Sequence, residues 1–472
     1  MKRTKTWKRV LALLMCLTMT CAFTACGSAD DDEDDTGKGT INKGIDDSVV
    51  DMGGYEFTIA SSFLVDEPDL SEITAAEAIF EKVRHKVEED YNCKIKILAL
   101  DNSIENVRTK VLAQDKIADI IDVEGFNLLP MARAGYIVPL EKVKGLDITD
   151  SRYIQGYSSF TEFNGQHYGL NFMRPAEARV CMIYNRELLK EYGITEDPQE
   201  LVKTGEWTFD KFREMCKTAT RDTDGDGKND SYGCHIAVPD TFGLSMISAN
   251  NGRLVTTEGG VAKESYNSKE VLNALNFVYD LVNTDKTATY GSTFGGGIAG
   301  KDAMAKFVAG EYAFFYCETW EINQMLKPTC GDLDYGLLPL PMGPDATEYV
   351  SPSENARNFC ITSTNKDVDK TVIILNALAK YTEEYGGKDD PNWWHYDLQM
   401  DYFQEGDTRS VEIYISLLDN ATLDLGVGVT DLWNSFKSTV IRDACYLNKG
   451  TPASRIESIS GKYQSAVSAI YN

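Results

Sequence analysis

Residues 222–230 read Asp222-Thr223-Asp224-Gly225-Asp226-Gly227-Lys228-Asn229-Asp230. Carboxylates fall at the first, third, fifth and ninth places of this loop, and glycine stands at the sixth. Ca2+ takes about six to eight hard oxygen ligands, and a glycine there permits the sharp turn. The Lys228 carbonyl would serve the seventh place. The twelfth place is Gly233, where an EF-hand carries a bidentate Glu, so this is not a full EF-hand. The expectation is a structural Ca2+ held by Asp222, Asp224, Asp226, Lys228 and Asp230, with a missing ligand supplied from elsewhere in the fold. The alternative is a solvated acidic turn. Gly295-Gly296-Gly297-Ile298-Ala299-Gly300 satisfies G-x-G-x-x-G, but no strand precedes it closely and no acidic partner follows, so it reads as a loop. There is no G-x-S-x-G, H-E-x-x-H or C-x-x-C. His85, His167, His235 and His395 are scattered, and with 73 acidic residues no carboxylate pair stands out as catalytic.

The elements that must position any site come from a chain of 472 residues, too long for one ordinary core. Its formal charge is −26, and residues 1–25 carry five basic groups and no acidic ones, so the remainder is more negative still. Such a surface repels nucleic acid and anionic headgroups. Lys2, Arg3, Lys5, Lys8 and Arg9 precede an apolar run over 10–20 that is too short to span a bilayer, which is the pattern of a secretory signal peptide over 1–25. Phe23-Thr24-Ala25-Cys26 resembles a bacterial lipobox, although Phe23 stands where Leu is usual. Cys26 is therefore expected to carry lipid, and two acyl chains anchor a protein stably. Residues 26–50, with the run Asp30-Asp31-Asp32-Glu33-Asp34-Asp35, read as a flexible linker. Of eleven cysteines, Cys16 and Cys21 lie in the signal. The eight beyond Cys26 read as buried thiols, with Cys216–Cys234 and Cys317–Cys330 as the pairs that could close loops.

The body begins with alternation over 55–60, an amphipathic helix over 71–89, a strand over 94–100, a helix over 104–114 and a strand over 117–123. Strand–helix–strand–helix–strand makes a parallel α/β sheet, whose ligands sit beyond the carboxyl ends of its strands. That marks Ser61-Ser62-Phe63 and Glu124-Gly125-Phe126-Asn127. Further on, 163–170 opens with an Asn-Gly turn, Val180-Cys181-Met182-Ile183-Tyr184-Asn185-Arg186 is a strand ending in polar groups, Gly193 closes a helix, and Thr208 can cap another. Helices are expected over 368–385 and 441–471. The aromatic stretch at 391–396 reads as a surface insertion or a cleft edge.

This order resembles the extracellular solute-binding proteins of carbohydrate ABC importers. The family shows "NG-x-x-Y-G/A-x-P", then "YN-[KR]" with a later "G-I", a Pro and a Trp; here stand Asn164-Gly165, Tyr168-Gly169, Tyr184-Asn185-Arg186, Gly193-Ile194, Pro198 and Trp207. The Pro after Gly169 is missing, and Asn171-Phe172 takes its place. Phe307-Val308-Ala309-Gly310-Glu311-Tyr312-Ala313-Phe314 followed by Trp320 matches the family's strand that delivers a Trp to the cleft, and Tyr335-Gly336 with Pro339 and Pro341 matches its return.

The resemblance implies a two-lobed periplasmic-binding-protein-like α/β fold (type II) with the ligand in a cleft between lobes. Lobe 1 would hold 51–165 and 357–410, and lobe 2 would hold 166–356 and 411–472. It implies capture without chemistry of a sugar or oligosaccharide, delivery to ABC permease subunits, and a monomer held by its lipid on the extracellular face of the bacterial cytoplasmic membrane. Sugars suit aromatic platforms ringed by polar groups. The expected platforms are Trp320, Phe126 and Trp433, with polar contacts from Glu124, Asn127, Glu318, Arg357 and Tyr168. A binding protein for a peptide or other non-sugar solute stays open, as does a secreted carbohydrate-active enzyme, which would need two placed carboxylates.

Overall fold

The computed structural model describes residues 48–70, 73, 75–99, 104–153, 161–163, 165–173, 180–258, 261–294, 297–298, 300–353, 357–385 and 393–472. The signal segment, Cys26 and the linker to residue 47 lie outside these residues, as do Asn164, Gly295-Gly296, Ala299, Asn355-Ala356 and Pro391-Asn392.

The first sheet contains β1 (Tyr55–Ser61), β2 (Cys93–Ala99) and β3 (Ile120–Glu124). β1 is parallel to both of the others. Successive residues of these strands feed opposite faces: Phe57, Ile59, Ile95 and Ile97 enter one core, and Ala60, Ile121 and Val123 enter another. Burial on both faces demands a helix cover on each. It comes from α1 (Ala75–Tyr91) and α2 (Ile104–Leu112), close to the expected spans, and from α3 (Gly125–Arg133).

The second sheet is built from β4 (Val180–Asn185), β5 (Tyr232–Ile236), β6 (Ala288–Tyr290), β7 (Tyr312–Glu318) and β8 (Tyr335–Leu338), in the order β6-β5-β7-β4-β8. Here too the side chains alternate. Met182, Tyr184, Phe314 and Tyr316 enter one core, and Cys181, Ile183, Phe315 and Cys317 enter the other. Trp207 is fully buried, and its indole N–H donates to the Pro339 carbonyl at 3.0 Å. The expected cap is present, with Thr208 accepting from Lys211 N, and Asn185 also caps the helix after β4 by accepting from Leu188 N.

Two short strands, β9 (Ser351–Pro352) and β11 (Ala421–Thr422), pair in parallel. Between them in the chain, β10 (Arg357–Ile361) returns to the first sheet, antiparallel to β3, and α4 (Val368–Tyr385) packs on α1. The first sheet therefore reads β10-β3-β1-β2.

Two edges of the expected lobe division move. Leu170, Phe172 and Met173 pack in a core of the first sheet and Tyr168 in its other core, so lobe 1 runs to Met173 rather than ending at residue 165. Trp394, Leu398, Tyr402 and Phe403 are buried in the core of the second sheet with Val411 and Tyr414, so 393–410 belongs to lobe 2 rather than lobe 1. The cause is packing: an apolar face on each segment finds its partner in the other lobe from the one that chain order suggests. The 393–402 helix thus packs on a core rather than forming a surface insertion. The tail is helical in three pieces, Phe436–Tyr446, Pro452–Ile459 and Gln464–Tyr471. All eight cysteines of the described residues are buried and unbridged.

Candidate ligand-binding site

β3 ends at Glu124, which is the N-cap of α3, and across the ladder Glu124 faces Arg357, the first residue of β10. The Arg357 guanidinium lies 3.5 Å from the Glu124 carboxylate and 3.6 Å from that of Asp122, donates to the Ser62 hydroxyl, and sits 4.9 Å from the centre of the Phe63 ring. Asp122 is fully buried and accepts from the Ser61 hydroxyl at 2.7 Å and from Ser62 N at 3.3 Å. A buried carboxylate needs such partners. Arg357 keeps a quarter of its side chain exposed, so its charge is pinned while one side stays open. Phe126 and Asn127 are half-buried on the first turn of α3. The strand-end rule marked Glu124, Ser62 and Phe63. Asp122 carried no signal, because its burial depends on Arg357 far along the chain.

In lobe 2, β7 ends at Glu318, the N-cap of a short helix, Thr319–Glu321. Glu318 accepts from the Trp320 indole N–H at 2.7 Å, and the Glu321 carboxylate accepts from Glu318 N at 2.9 Å. Trp320 is half-exposed, whereas Glu321 is buried. Burial pushes the Glu321 carboxyl up to about 7, opposed by the Glu318 N–H and aided by the Glu318 charge. Trp433 is half-buried on the helix Thr430–Ser435, against the lobe 2 core, with Lys437 Nζ 5.6 Å from its ring centre. Lys437 reaches Asp240 at 4.0 Å. Tyr168 is withdrawn from the surface. It is buried in a core of lobe 1 with Leu128 and Met131, its ring edge-on to Phe163, and burial raises its hydroxyl pKa.

The ends of both sheets lie by the crossings. Glu318 is opposite Val180, where the chain enters lobe 2 seven residues after Met173. Arg357, opposite Glu124, comes four residues after Ser353 of lobe 2. Extended chain spans at most about 3.6 Å per residue, so these gaps are at most about 25 Å and about 14 Å. The lobes also touch through α3. Arg133 donates to the Ala469 carbonyl at 2.8 Å, and Gly428 lies so near the Phe126 carbonyl that a Cβ would stand 2.8 Å from it.

The Asp222 loop is held by its own carboxylates. Asp222 accepts from Gly225 N at 2.7 Å and Gly227 N at 2.8 Å, Asp224 from Asp226 N at 3.0 Å, and Asp226 from Lys228 N at 2.8 Å. Gly225 and Gly227 have φ of 78° and 88°, the left-handed region glycine enters freely. Carboxylate oxygens of Asp222, Asp224 and Asp226 lie within 4.8 Å of one another, exposed. This hard-oxygen set fits Ca2+. Asp230 instead accepts from the Thr223 hydroxyl and, at 2.7 Å, from Thr223 N, and these bonds lower its pKa.

A concavity of about 630 Å³ lies at the other end of the second sheet, lined by Arg186, Asp334 and residues 404–409. Its Arg186 donates to Tyr184, Asp334, the Tyr335 carbonyl, Gln199 and Asp407. Gly336 allows this approach, since a Cβ there would stand 2.6 Å from the guanidinium. The Tyr184-Asn185-Arg186 motif is thus structural: a cap for the next helix and a clamp on the loop that carries Asp407.

Two α/β lobes linked by crossings, with an aromatic and charged group at the crossing end of each sheet, define a two-lobed binding-protein fold. The chain belongs to the bacterial extracellular solute-binding protein family, whose model matches residues 68–380. Solved structures share the fold over most of the chain. UspC of Mycobacterium tuberculosis is 19% identical with a TM-score of 0.62, covering 88% of this chain and 100% of its own. The GacH receptor of Streptomyces glaucescens, solved unliganded and with acarbose, is 15% identical with a TM-score of 0.59, covering 88% and 98%. UgpB of Mycobacterium tuberculosis, solved with glycerophosphocholine, is 14% identical with a TM-score of 0.60, covering 88% and 98%. No curated protein sequence matches the chain. Among the described residues, no helix is long and apolar enough to cross a membrane.

Proposed function

We propose that this chain captures a sugar or oligosaccharide between its lobes and delivers it to ABC permease subunits. The observation that carries the reading is the pair of groups flanking the crossings: Trp320, fastened by Glu318, and Arg357, fastened by Glu124, Asp122 and Ser62. An indole platform on one lobe and ionic hydrogen-bonding groups on the other match the flat apolar face and hydroxyl rim of a sugar. Phe126, Asn127 and Trp433 would extend the contact. Ligand would favour closure because it touches both lobes only in the closed state. The acarbose, cycloalternan and maltotriose complexes among proteins of this fold support the sugar class.

Glu321, the carboxylate nearest Glu318 in the chain, is turned inward onto a backbone N–H, which favours binding over glycoside hydrolysis. A non-sugar solute is the second reading, supported by the glycerophosphocholine complex of UgpB and by the Arg357 and Lys437 cations. In this proposal the protein is a monomer, anchored by lipid on Cys26 outside the cytoplasmic membrane, and the Asp222 loop holds a structural Ca2+. A thermal-shift screen against mono- and oligosaccharides, glycerophosphodiesters and short peptides tests the solute class. A rise in Tm with a sugar supports capture of sugars. A rise only with one of the other classes overturns it.

A further inference from the structure

Cys181 on β4 and Cys317 on β7 are directly opposed in an antiparallel ladder. Both side chains enter the same core, and both are fully buried. Their sulfurs lie 3.9 Å apart. Directly opposed residues in an antiparallel pair hold their Cα atoms about 4.5–5.5 Å apart, inside the range of about 4.4–6.8 Å that a disulfide spans. The strands therefore already stand at bridging distance, and only the two side chains must close.

We propose that Cys181 and Cys317 are a redox-active pair that forms a cross-strand disulfide when the chain meets a small-molecule disulfide. One cysteine, as its thiolate, attacks a sulfur of the oxidant. Their S–S bond forms as the oxidant's S–S bond breaks, and one small thiolate leaves. The second cysteine then attacks the mixed disulfide, the Cys181–Cys317 bond forms, and the other small thiolate leaves. The two cysteines lose two electrons and two protons, and the oxidant becomes two thiols. The pair joins residues 136 apart in sequence, so the bond removes much freedom from the unfolded chain.

Its position matters to the site. Cys317 immediately precedes Glu318, the residue that fastens Trp320, and Cys181 follows Val180, where the chain enters lobe 2. Oxidation ties these two strand ends together. Burial, the neighbouring Cys181 and the charges of Glu321 and Glu318 push the Cys317 thiol well above its ordinary value. Only thiolate attacks, so the bond forms during folding or when this core opens locally.

The test refolds the full-length chain from denaturant in oxidised and reduced glutathione, alkylates remaining thiols, and maps peptides without reduction by mass spectrometry. The expected result is a peptide linking Cys181 to Cys317, with a Tm several degrees above that of chain kept in reductant. The Tm difference should vanish in Cys181→Ala and in Cys317→Ala. The wild-type map decides the matter even if a variant folds poorly. Recovery of both cysteines as alkylated free thiols, or linked only to other cysteines, overturns the proposal. This test needs no ligand and is independent of the solute class.

Discussion

Trp320 is anchored at its polar edge by the 2.7 Å bond to Glu318, which spares a ligand the cost of ordering the ring. Trp320→Ala should weaken sugar binding by about 1.5–3 kcal/mol, roughly tenfold to 150-fold, in a calorimetric titration. Because Trp320 is half-exposed, the Tm of the ligand-free protein should barely move. Glu321 acts on stability instead. Its folded-state pKa, about 7, lies above the ordinary value of 4.5, so the folded state holds its proton more tightly and stability falls as pH rises from about 4.5 to about 7. Glu321→Gln keeps a carbonyl for the Glu318 N–H and removes the charge, so it should stabilise by up to ~3 kcal/mol at pH 8 and by almost nothing near pH 4.5. Urea melts at the two pH values check this, and equal effects at both would contradict it. His235 has the opposite sign. Burial lowers its pKa to about 4, so its contribution is lost as pH falls from about 6.5 to about 4. Glu124, Arg357 and Trp320 were legible in sequence because strand ends and family motifs fix their places. Asp122 and Glu321 were not, since their burial comes from side chains that only the folded chain brings near.

At the level of elements, strands and helices announce themselves by periodicity, and the helix over 368–385 stands where its pattern puts it. The lobe edges do not. Tyr168 to Met173 and the 393–402 helix have apolar faces whose destination is a tertiary matter, so the divisions at 165 and 410 missed them. The contact of Cys181 with Cys317 likewise needs the β4–β7 register, which no spacing in the chain reveals. Gly336 separates fold from site. Its Cβ position lies 2.5 Å from the Tyr184 ring and 2.6 Å from Arg186, at the end of the sheet away from Glu318. Gly336→Ala should cost about 1–3 kcal/mol in a denaturant melt. Ligand affinity should stay unchanged at temperatures where the variant is folded. The Asp222 loop gives a second prediction at this scale. EDTA should lower the Tm and Ca2+ should restore it, and Asp224→Asn should abolish the response. Indifference to both would make the loop a turn closed by its own backbone hydrogen bonds.

For the whole molecule, the two sheets each present a held group near the crossings, and α3 touches lobe 2 through Arg133 and Phe126. A solute that engages both sheets should draw the lobes together, and small-angle scattering should record a smaller radius of gyration on saturation. The measurement that tests the central claim most directly is a calorimetric titration of wild-type protein and of the Trp320→Ala and Arg357→Ala variants with the sugar that gives the largest thermal shift. The account predicts one saturable site in the wild type, lost or weakened at least tenfold in each variant, with the fold intact by circular dichroism. Unchanged affinity in both variants would contradict it, because the solute would then bind away from the groups that flank the crossings.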